Sequence, residues 1–198
     1  MSHQILSPHT MRETSRGIAL TSVYDEMLAR RELSVTGPVT QDMAFDVCQQ
    51  LLQLEYADPE AEVTLYVASP GGSVSAGLAI VDAMRTISCP VRTVCLDTAA
   101  SMGAVIFVCG DRREMFPHAE LMIHDPLIQN AGGSALSVQE TSRRLMGLRR
   151  TLSQILAERS GLSVKRVQTL TARDTFLTAE RACELGFADA IVSPRKAA

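Results

Sequence analysis

The 198-residue chain has no tryptophan, few other aromatic residues and no long apolar run. Its longest apolar run, at 104–109, is far shorter than the ~18 residues that a membrane-spanning helix needs. The net charge is only −3 and no basic run occurs, so the composition indicates neither a nucleic-acid partner nor a membrane surface. Polar residues and prolines precede any apolar run at the N-terminus, which argues against a secretory signal.

The five cysteines lack CxxC spacing, and no histidine stands at a metal-ligand spacing from them. An odd number of cysteines in mostly apolar contexts favours reduced, buried thiols in a cytoplasmic protein. We therefore predict no disulfide framework, no metal site and a cytoplasmic location. The G-x-x-x-x-G-K-[ST] pattern of an ATP-binding loop is also missing, so we expect no cofactor in this chain.

What the chain does contain is an alternation of apolar strands and amphipathic helices. Strand–turn–helix units at 62–86 and 91–108 follow each other at a period of about thirty residues, as right-handed βαβ units do. We predict one α/β domain over residues 18–192, with an irregular N-terminal arm at 1–17 and a tail at 193–198.

Two predictions concern the second half of the chain. A glycine-rich link at 129–135 leads to a long helix that begins with a capping box at 137–140 and ends near residue 160. This helix either projects from the body toward another subunit or packs into the core. The segment TARDTF at 171–176 is predicted to be a loop between two helices.

The segment Asp97–Gly110 (DTAASMGAVIFVCG) places Ser101 in a tight turn between a buried strand and a packed helix. Ligands bind at the carboxyl ends of parallel strands, and a helix N-terminus offers free N–H groups. The turn at Gly71–Gly72 should lie beside it on the same sheet edge and direct an N–H toward the serine. Ser101 is therefore a candidate nucleophile; the alternative is that a small residue here lets the helix pack closely.

A nucleophilic serine needs a base and an orienting acid. Among the four histidines only His124 follows an apolar strand, although a histidine at a strand end is often structural. Asp97, Asp125 and Asp174 compete for the third role, and Asp125 should point to the opposite face of the strand from His124. The residues alone leave the acid unassigned.

Four motifs carry a resemblance to a known family: SPGGSVSAGLAI at 69–80, TAASMGA at 98–104, MIHDPL at 122–127 and TARDTFLTAERACELGFAD at 171–189. Together they resemble the proteolytic subunit of the Clp protease, the ClpP family, in register from about residue 14 to residue 192. The resemblance implies a ClpP/crotonase-like fold of stacked βαβ units with a protruding handle helix at about 128–161. It also implies a serine endopeptidase that hydrolyses unfolded polypeptides delivered by an AAA+ unfoldase, and small peptides without it.

The resemblance assigns roles to single residues. Ser101 is implied to be the nucleophile, His124 the general base and Asp174 the residue that orients the imidazole. The backbone N–H groups of Gly72 and Met102 correspond to the oxyanion hole. Flanking positions correspond to substrate-binding residues: Gly71, Ser73 and Pro126.

The resemblance also implies an assembly. Two heptameric rings would stack as a tetradecamer through the handle, and the arm would line the axial pore. ATP would be used by the partner AAA+ unfoldase and not by this chain. No nucleic-acid or membrane partner is implied.

The chain departs from the family's usual pattern at several positions. Ala68 stands where an asparagine is usual, and Asp97–Thr98 stand where Gly-Gln is usual. Ala172 occupies the place of an acidic residue that pairs across the ring interface, beside a retained Arg173.

The family's unfoldase-docking pocket is altered as well. Thr64 and Thr86 replace two of its aromatic residues, whereas Tyr66 is kept. Aromatic residues dominate such hot spots, so the hypothesis is a divergent paralogue that works beside a second ClpP-type ring. Two other classes stay open: a weakly active or silent regulatory ring subunit, and an acyl-CoA enzyme of the crotonase group.

Overall fold

A computed structural model of the chain describes residues 8–14, 17–128 and 132–193. Parts of the predicted arm (1–7 and 15–16), of the glycine-rich link (129–131) and of the tail (194–198) lie outside the described residues. The helices are Val23–Ala29 (α1), Gln41–Ala57 (α2), Val74–Thr86 (α3), Met102–Val108 (α4), Ala135–Ser160 (α5), Val164–Thr171 (α6) and Ala179–Glu184 (α7). The strands are His9–Thr14 (β1), Gly17–Ser22 (β2), Glu32–Thr36 (β3), Val63–Ser69 (β4), Val91–Ala100 (β5), Arg112–Met115 (β6), Glu120–Ile123 (β7), Thr175–Thr178 (β8) and Ala190–Ile191 (β9).

The fold is α/β with a mostly parallel sheet, as predicted. The main sheet runs β3-β4-β5-β6-β9, with all neighbours parallel. Strand β5 pairs with two partners in turn: its first half pairs with β6, and its last three residues pair with β7. Strand β8 adds to β7 in the antiparallel direction. The long strand β5 therefore brings the ends of β4 and β7 to one place.

Helix α2 shows how the sequence fixes a buried face. The Thr40 side chain accepts a hydrogen bond from the Met43 N–H and so caps the helix. The apolar residues of α2 recur at steps of three and four along the chain, which places them on one face, and these four are buried: Ala44, Val47, Leu51 and Leu54. Helices α2, α3 and α4 lie side by side over the sheet, and the C-terminal half of α5 packs against α4.

The prediction of an irregular arm is wrong for residues 9–14. Strand β1 pairs with β2 as an antiparallel hairpin in which Met11 lies opposite Leu20. Both side chains are exposed, so these apolar residues are not packed into the core. A hairpin that is held by its backbone hydrogen bonds does not need alternating apolar residues. The sequence pattern therefore gives no signal for these two strands.

The predicted capping box at 137–140 is also wrong, because α5 begins three residues earlier. The Ser134 side chain accepts from the Ser137 N–H, so Ser134 is the cap and Ser137 lies inside the first turn. The helix is long as predicted, and only its second half is buried. Its first half carries three exposed apolar side chains: Leu136, Val138 and Met146.

The segment 171–176 is not wholly a loop. Helix α6 extends to Thr171, and β8 begins at Thr175, so the turn spans three residues. A four-residue strand carries too little periodicity to be predicted, because its pairing partner β7 lies about fifty residues earlier in the chain.

None of the helices within residues 8–14, 17–128 and 132–193 combines the length and apolar character that crossing a membrane requires.

Candidate active site

Ser101 lies between the end of β5 and the first residue of α4. Its backbone has φ 54° and ψ −119°, a conformation that non-glycine residues rarely adopt and that costs of order 1–3 kcal/mol. The Ser101 N–H donates to the Met122 carbonyl at 2.8 Å, which ties the turn to β7. Strained backbone of this kind is common where a side chain must be presented to a ligand.

The Gly71–Gly72 turn lies directly beside Ser101, as the order of the βαβ units predicted. At Gly71 φ is +92°, and a Cβ built there would stand 2.6 Å from the Ser101 Cβ. Val39 holds the turn from its other side: its N–H donates to the Gly71 carbonyl (2.8 Å), and its carbonyl accepts from the Ser73 N–H (2.9 Å). Only glycine permits both this conformation and this approach.

Two backbone amides lie free beside the serine. Gly72 and Met102 line the same cleft as Ser101 and His124. Neither the Gly72 N–H nor the Met102 N–H has a hydrogen-bond acceptor within the described part of the chain. Met102 is the first residue of α4, so its amide is one of the unsatisfied donors of a helix N-terminus.

His124 contacts both the serine and an aspartate. Its Nε2 lies 2.8 Å from the Ser101 Oγ, and its Nδ1 lies 3.1 Å from the Asp174 Oδ1. Because a carboxylate only accepts hydrogen bonds, Nδ1–H donates to Asp174 and Nε2 is left to accept from the serine hydroxyl. The side chain of His124 is 14% exposed and that of Asp174 is 63% exposed.

The register of β7 and β8 explains how Asp174 reaches the histidine. Ile123 at the end of β7 pairs with Thr175 at the start of β8. The next residue on β7's side, His124, and the preceding residue on β8's side, Asp174, therefore leave the pair of strands together. Strand β8 is not evident from the sequence, so the residues alone left the acid unassigned.

The other two candidate acids do not contact His124. Asp97 is exposed and accepts a hydrogen bond from the Thr98 N–H. Asp125 accepts from the Arg149 Nε at 2.6 Å and from the Thr171 Oγ1 at 2.7 Å. As predicted, the Asp125 side chain is directed away from the imidazole.

The cleft has a volume of about 410 Å³ and is mainly apolar. Its polar end is formed by Ser101, His124 and the Gly72 backbone. The remaining lining residues come from α3, α4, the segment around the end of β7, and α5: Val74, Met102, Val105, Ile123, Pro126, Leu127, Leu152 and Leu156. The contribution of α5 was not predicted, because the sequence does not say which face of a long helix meets the cleft.

The predicted substrate-binding residues fall in three different places. Pro126 lines the cleft, and Gly71 contacts the back of the Ser101 turn. The Ser73 hydroxyl accepts from the Ala76 N–H and so caps α3. Gly77 also supports the site and was not predicted from the sequence. Because glycine has no side chain, the Met102 side chain can pack against α3 at this position. A glycine inside an apolar helix pattern was the available signal.

The ring-contact and unfoldase-docking positions, whether altered or retained, are not among the residues that line the cleft. Ala172 and Arg173 are exposed in the turn that precedes Asp174. Thr64 and Tyr66 are half-buried on one face of β4, and Thr86 is the exposed last residue of α3. The same face of the sheet carries an ion-pair network instead of an apolar surface: Arg92–Glu114, Arg112–Glu114 and Arg112–Glu62.

Within the described ranges, no group of three or more His, Cys, Asp or Glu side chains is placed to hold a metal ion.

The comparison with known families agrees with this geometry. A sequence model of the family described as Clp protease matches residues 15–195, which is nearly the whole chain. The match spans β2 to β9 and includes the serine, the histidine and the aspartate. The chain therefore belongs to the Clp protease family, as a proteolytic subunit of the ClpP type.

Proposed function

We propose that this chain is a serine endopeptidase subunit of a barrel-shaped, ATP-dependent Clp protease. The observation that carries the proposal is the continuous hydrogen-bonded series from the Ser101 Oγ through both ring nitrogens of His124 to Asp174. A serine, a base and an orienting carboxylate in this order are recognised by their geometry and roles on many folds.

The reaction follows from the position of each proton. The Ser101 Oγ attacks the scissile carbonyl carbon while its proton passes to the His124 Nε2. Asp174 stabilises the imidazolium through Nδ1–H and does not itself take the proton. The oxyanion that develops on the carbonyl oxygen accepts from the Gly72 and Met102 amides. His124 then protonates the leaving amine, and a water molecule releases the acyl group from Ser101 by the same steps.

The cleft suggests which side chain precedes the cleaved bond. Its lining beyond Ser101 and His124 is almost entirely aliphatic or thioether, and about 410 Å³ accommodates one large apolar side chain. We expect cleavage after leucine or methionine to be faster than cleavage after a charged residue. Burying an unpaired charge in such a site is unfavourable.

The family supports an assembly of stacked heptameric rings, a tetradecamer, served by an AAA+ unfoldase that uses the ATP. In this proposal α5 is the handle between the rings, and the exposed Leu136, Val138 and Met146 are covered on stacking. The N-terminal segment lines the axial pore. The barrel acts in the cytoplasm on unfolded chains threaded into it, and small peptides diffuse in without the unfoldase. This chain itself uses no cofactor.

The altered positions support a finer proposal, that the chain works best beside a second ClpP-type paralogue. Thr64 and Thr86 offer little apolar surface for an unfoldase, and the ion pairs of Arg92 and Arg112 make the adjoining sheet face polar. The paralogue's ring would then supply the main docking face.

One observation favours a second candidate, a weakly active or silent ring subunit. Asp174 is 63% exposed and follows Ala172, the replaced ring-contact position. Without a neighbouring subunit to cover it, Asp174 is poorly held, and catalysis then depends on assembly.

The test compares the chain purified alone with the chain co-expressed with a paralogue, by native mass and by turnover of fluorogenic peptides that differ only in the residue before the cleaved bond. We expect peptides with leucine at that position to be cleaved fastest, and activity to rise with assembly into rings. Absence of peptidase activity in every assembled form would favour the silent subunit. A homo-tetradecamer that degrades a folded protein with an unfoldase alone would overturn the paralogue proposal.

A further inference from the structure

Asp125, the residue that follows His124, is hydrogen-bonded outside the cleft to two other segments of the chain. The Asp125 Oδ2 accepts from the Arg149 Nε of α5 at 2.6 Å, and its Oδ1 accepts from the Thr171 Oγ1 at the end of α6 at 2.7 Å. The Asp125 N–H also donates to the Thr171 carbonyl at 2.7 Å. We call these three residues the Asp125 latch.

The latch is partly shielded from water. Thr171 is 3% exposed, and the side chains of Arg149 and Asp125 are 25% and 30% exposed. Hydrogen bonds to an ionised partner are shorter and roughly twice as strong as neutral ones. The buried Thr171 hydroxyl has Asp125 as its acceptor, so losing the carboxylate leaves a buried donor unsatisfied.

Asp174 has little of its own to hold it. Its side chain is largely exposed, and its contact within the described ranges is the one with His124. Its backbone, however, lies between two anchors. Thr171 is bound to Asp125 on one side, and on the other Thr175 pairs with Ile123 and donates to the Leu170 carbonyl at 2.6 Å.

We infer that Asp125 is a positioning residue, which fixes the distance between His124 and Asp174 by tying both chain segments to α5. The inference rests on the proposed function, since it concerns the efficiency of that same site. The Asp125 side chain contacts Arg149 and Thr171 and none of the reacting atoms, and Asp125 does not line the cleft. Its effect passes through the backbone of the preceding residue, His124, and through the turn that carries Asp174.

The first test is Asp125→Asn, which keeps the shape and leaves an amide N–H₂ facing a donor. We expect kcat for a small peptide to fall about tenfold, because small displacements of catalytic groups are costly, while KM changes less than about twofold. The cleft that binds the substrate side chain is formed by other residues, which is why KM should be spared.

A matched pair at the other end of the latch separates positioning from general stability. Thr171→Val removes the hydroxyl with little change of volume and should lower kcat several-fold. Thr171→Ser keeps the hydroxyl and should retain most of the wild-type kcat. Asp189→Asn is the control, because it also removes a carboxylate bound to an arginine, Arg113, but lies outside the site. It should lower the melting temperature without changing kcat.

The outcomes are distinguishable from failure of the proposed function. All variants are first treated with a fluorophosphonate; if wild-type Ser101 is not labelled and no peptide is cleaved, the proposed function fails. If the wild type reacts and Asp125→Asn and Thr171→Val keep kcat within about twofold, the latch inference is wrong. The inference is also wrong if kcat falls with the loss of stability in Asp189→Asn to the same extent as it does in Asp125→Asn and Thr171→Val.

Discussion

The two halves of the site are held in different ways. One half carries the proposed nucleophile, Ser101, and we call it the nucleophile half. It is built into the core, since Ala99 and Ala100 lead into Ser101 and the buried Met102 follows it. The other half carries Asp174, and we call it the acid half. It lies near the surface, where the Asp174 side chain is largely exposed and its position depends on the neighbouring residues of the chain. The first half is therefore a property of the packed βαβ units, whereas the second depends on strand register and on the Asp125 latch. The predictions that follow test this difference.

Replacing the nucleophile should have the largest effect. Ser101→Ala removes the attacking oxygen, and we expect peptide turnover to fall by about four to six orders of magnitude. Because only one oxygen atom is lost, the melting temperature should stay close to that of the wild type. The measurement is kcat/KM on a fluorogenic peptide together with thermal unfolding. Residual turnover above a hundredth of the wild-type rate would mean that another residue attacks.

Removing the charge of the acid half should cost less. Asp174→Asn keeps the shape but no longer holds the imidazole in the required tautomer, and we expect kcat to fall by roughly 10²–10⁴. The control is Asp97→Asn, another exposed aspartate near Ser101 in sequence, which does not contact His124. It should leave kcat within about twofold of the wild type. Equal losses in both variants would remove Asp174 from the site.

Adding one methyl group to the nucleophile half should damage both activity and folding. In Gly71→Ala the new Cβ meets the Ser101 Cβ, and φ +92° is strained for alanine. We expect a loss of roughly 2–4 kcal/mol in the free energy of unfolding and about a hundredfold in kcat.

Gly147→Ala is the matched control in α5, where a Cβ meets nothing within 4 Å. Because alanine favours the helix, it should stabilise the protein by about 0.5–1 kcal/mol and leave kcat unchanged. If Gly71→Ala behaves like Gly147→Ala in chemical denaturation, the turn does not approach Ser101 as closely as described.

The last prediction concerns the two buried thiols near the nucleophile half, Cys95 and Cys109, which we expect to be almost unreactive. Burial raises the pKa of Cys109 to about 11 and, with the nearby charge of Asp97, raises the pKa of Cys95 to about 12. At pH 8 only about a thousandth of Cys109 is thiolate, and less of Cys95.

We therefore expect iodoacetamide to leave both thiols unmodified in the folded protein, as read by mass spectrometry, and to modify them after unfolding. The partly exposed Cys48 and Cys183 serve as internal comparisons. Rapid alkylation of Cys95 at pH 8 would show that the strand leading to Ser101 opens readily.

The sequence predicted the nucleophile half well because its signals are local. The turn at Gly71–Gly72 and the turn at Ser101 each follow from residues close together in the chain. The parallel order of β4 and β5 then brings Gly71 to Ser101 without further information.

The acid half was not predictable from the same signals. Strand β8 has four residues and exists because β7, about fifty residues earlier, pairs with it. Asp174 was selected from the three candidate acids only through the family resemblance. The latch between Asp125, Arg149 and Thr171 joins three segments that are distant in sequence. The hairpin of β1 and the start of α5 at Ser134 were missed for related reasons, since exposed strands have no hydrophobic period and several serines compete as caps.

The central claim is that Ser101 is an activated nucleophile, and covalent labelling tests it most directly. The chain is treated with a fluorophosphonate, alone and with a co-expressed paralogue, and the adduct is located by peptide mass spectrometry. We expect one adduct per chain, on Ser101, and we expect it to form much more slowly in Asp174→Asn. An adduct on a different residue, or no adduct in either preparation, would contradict the central claim.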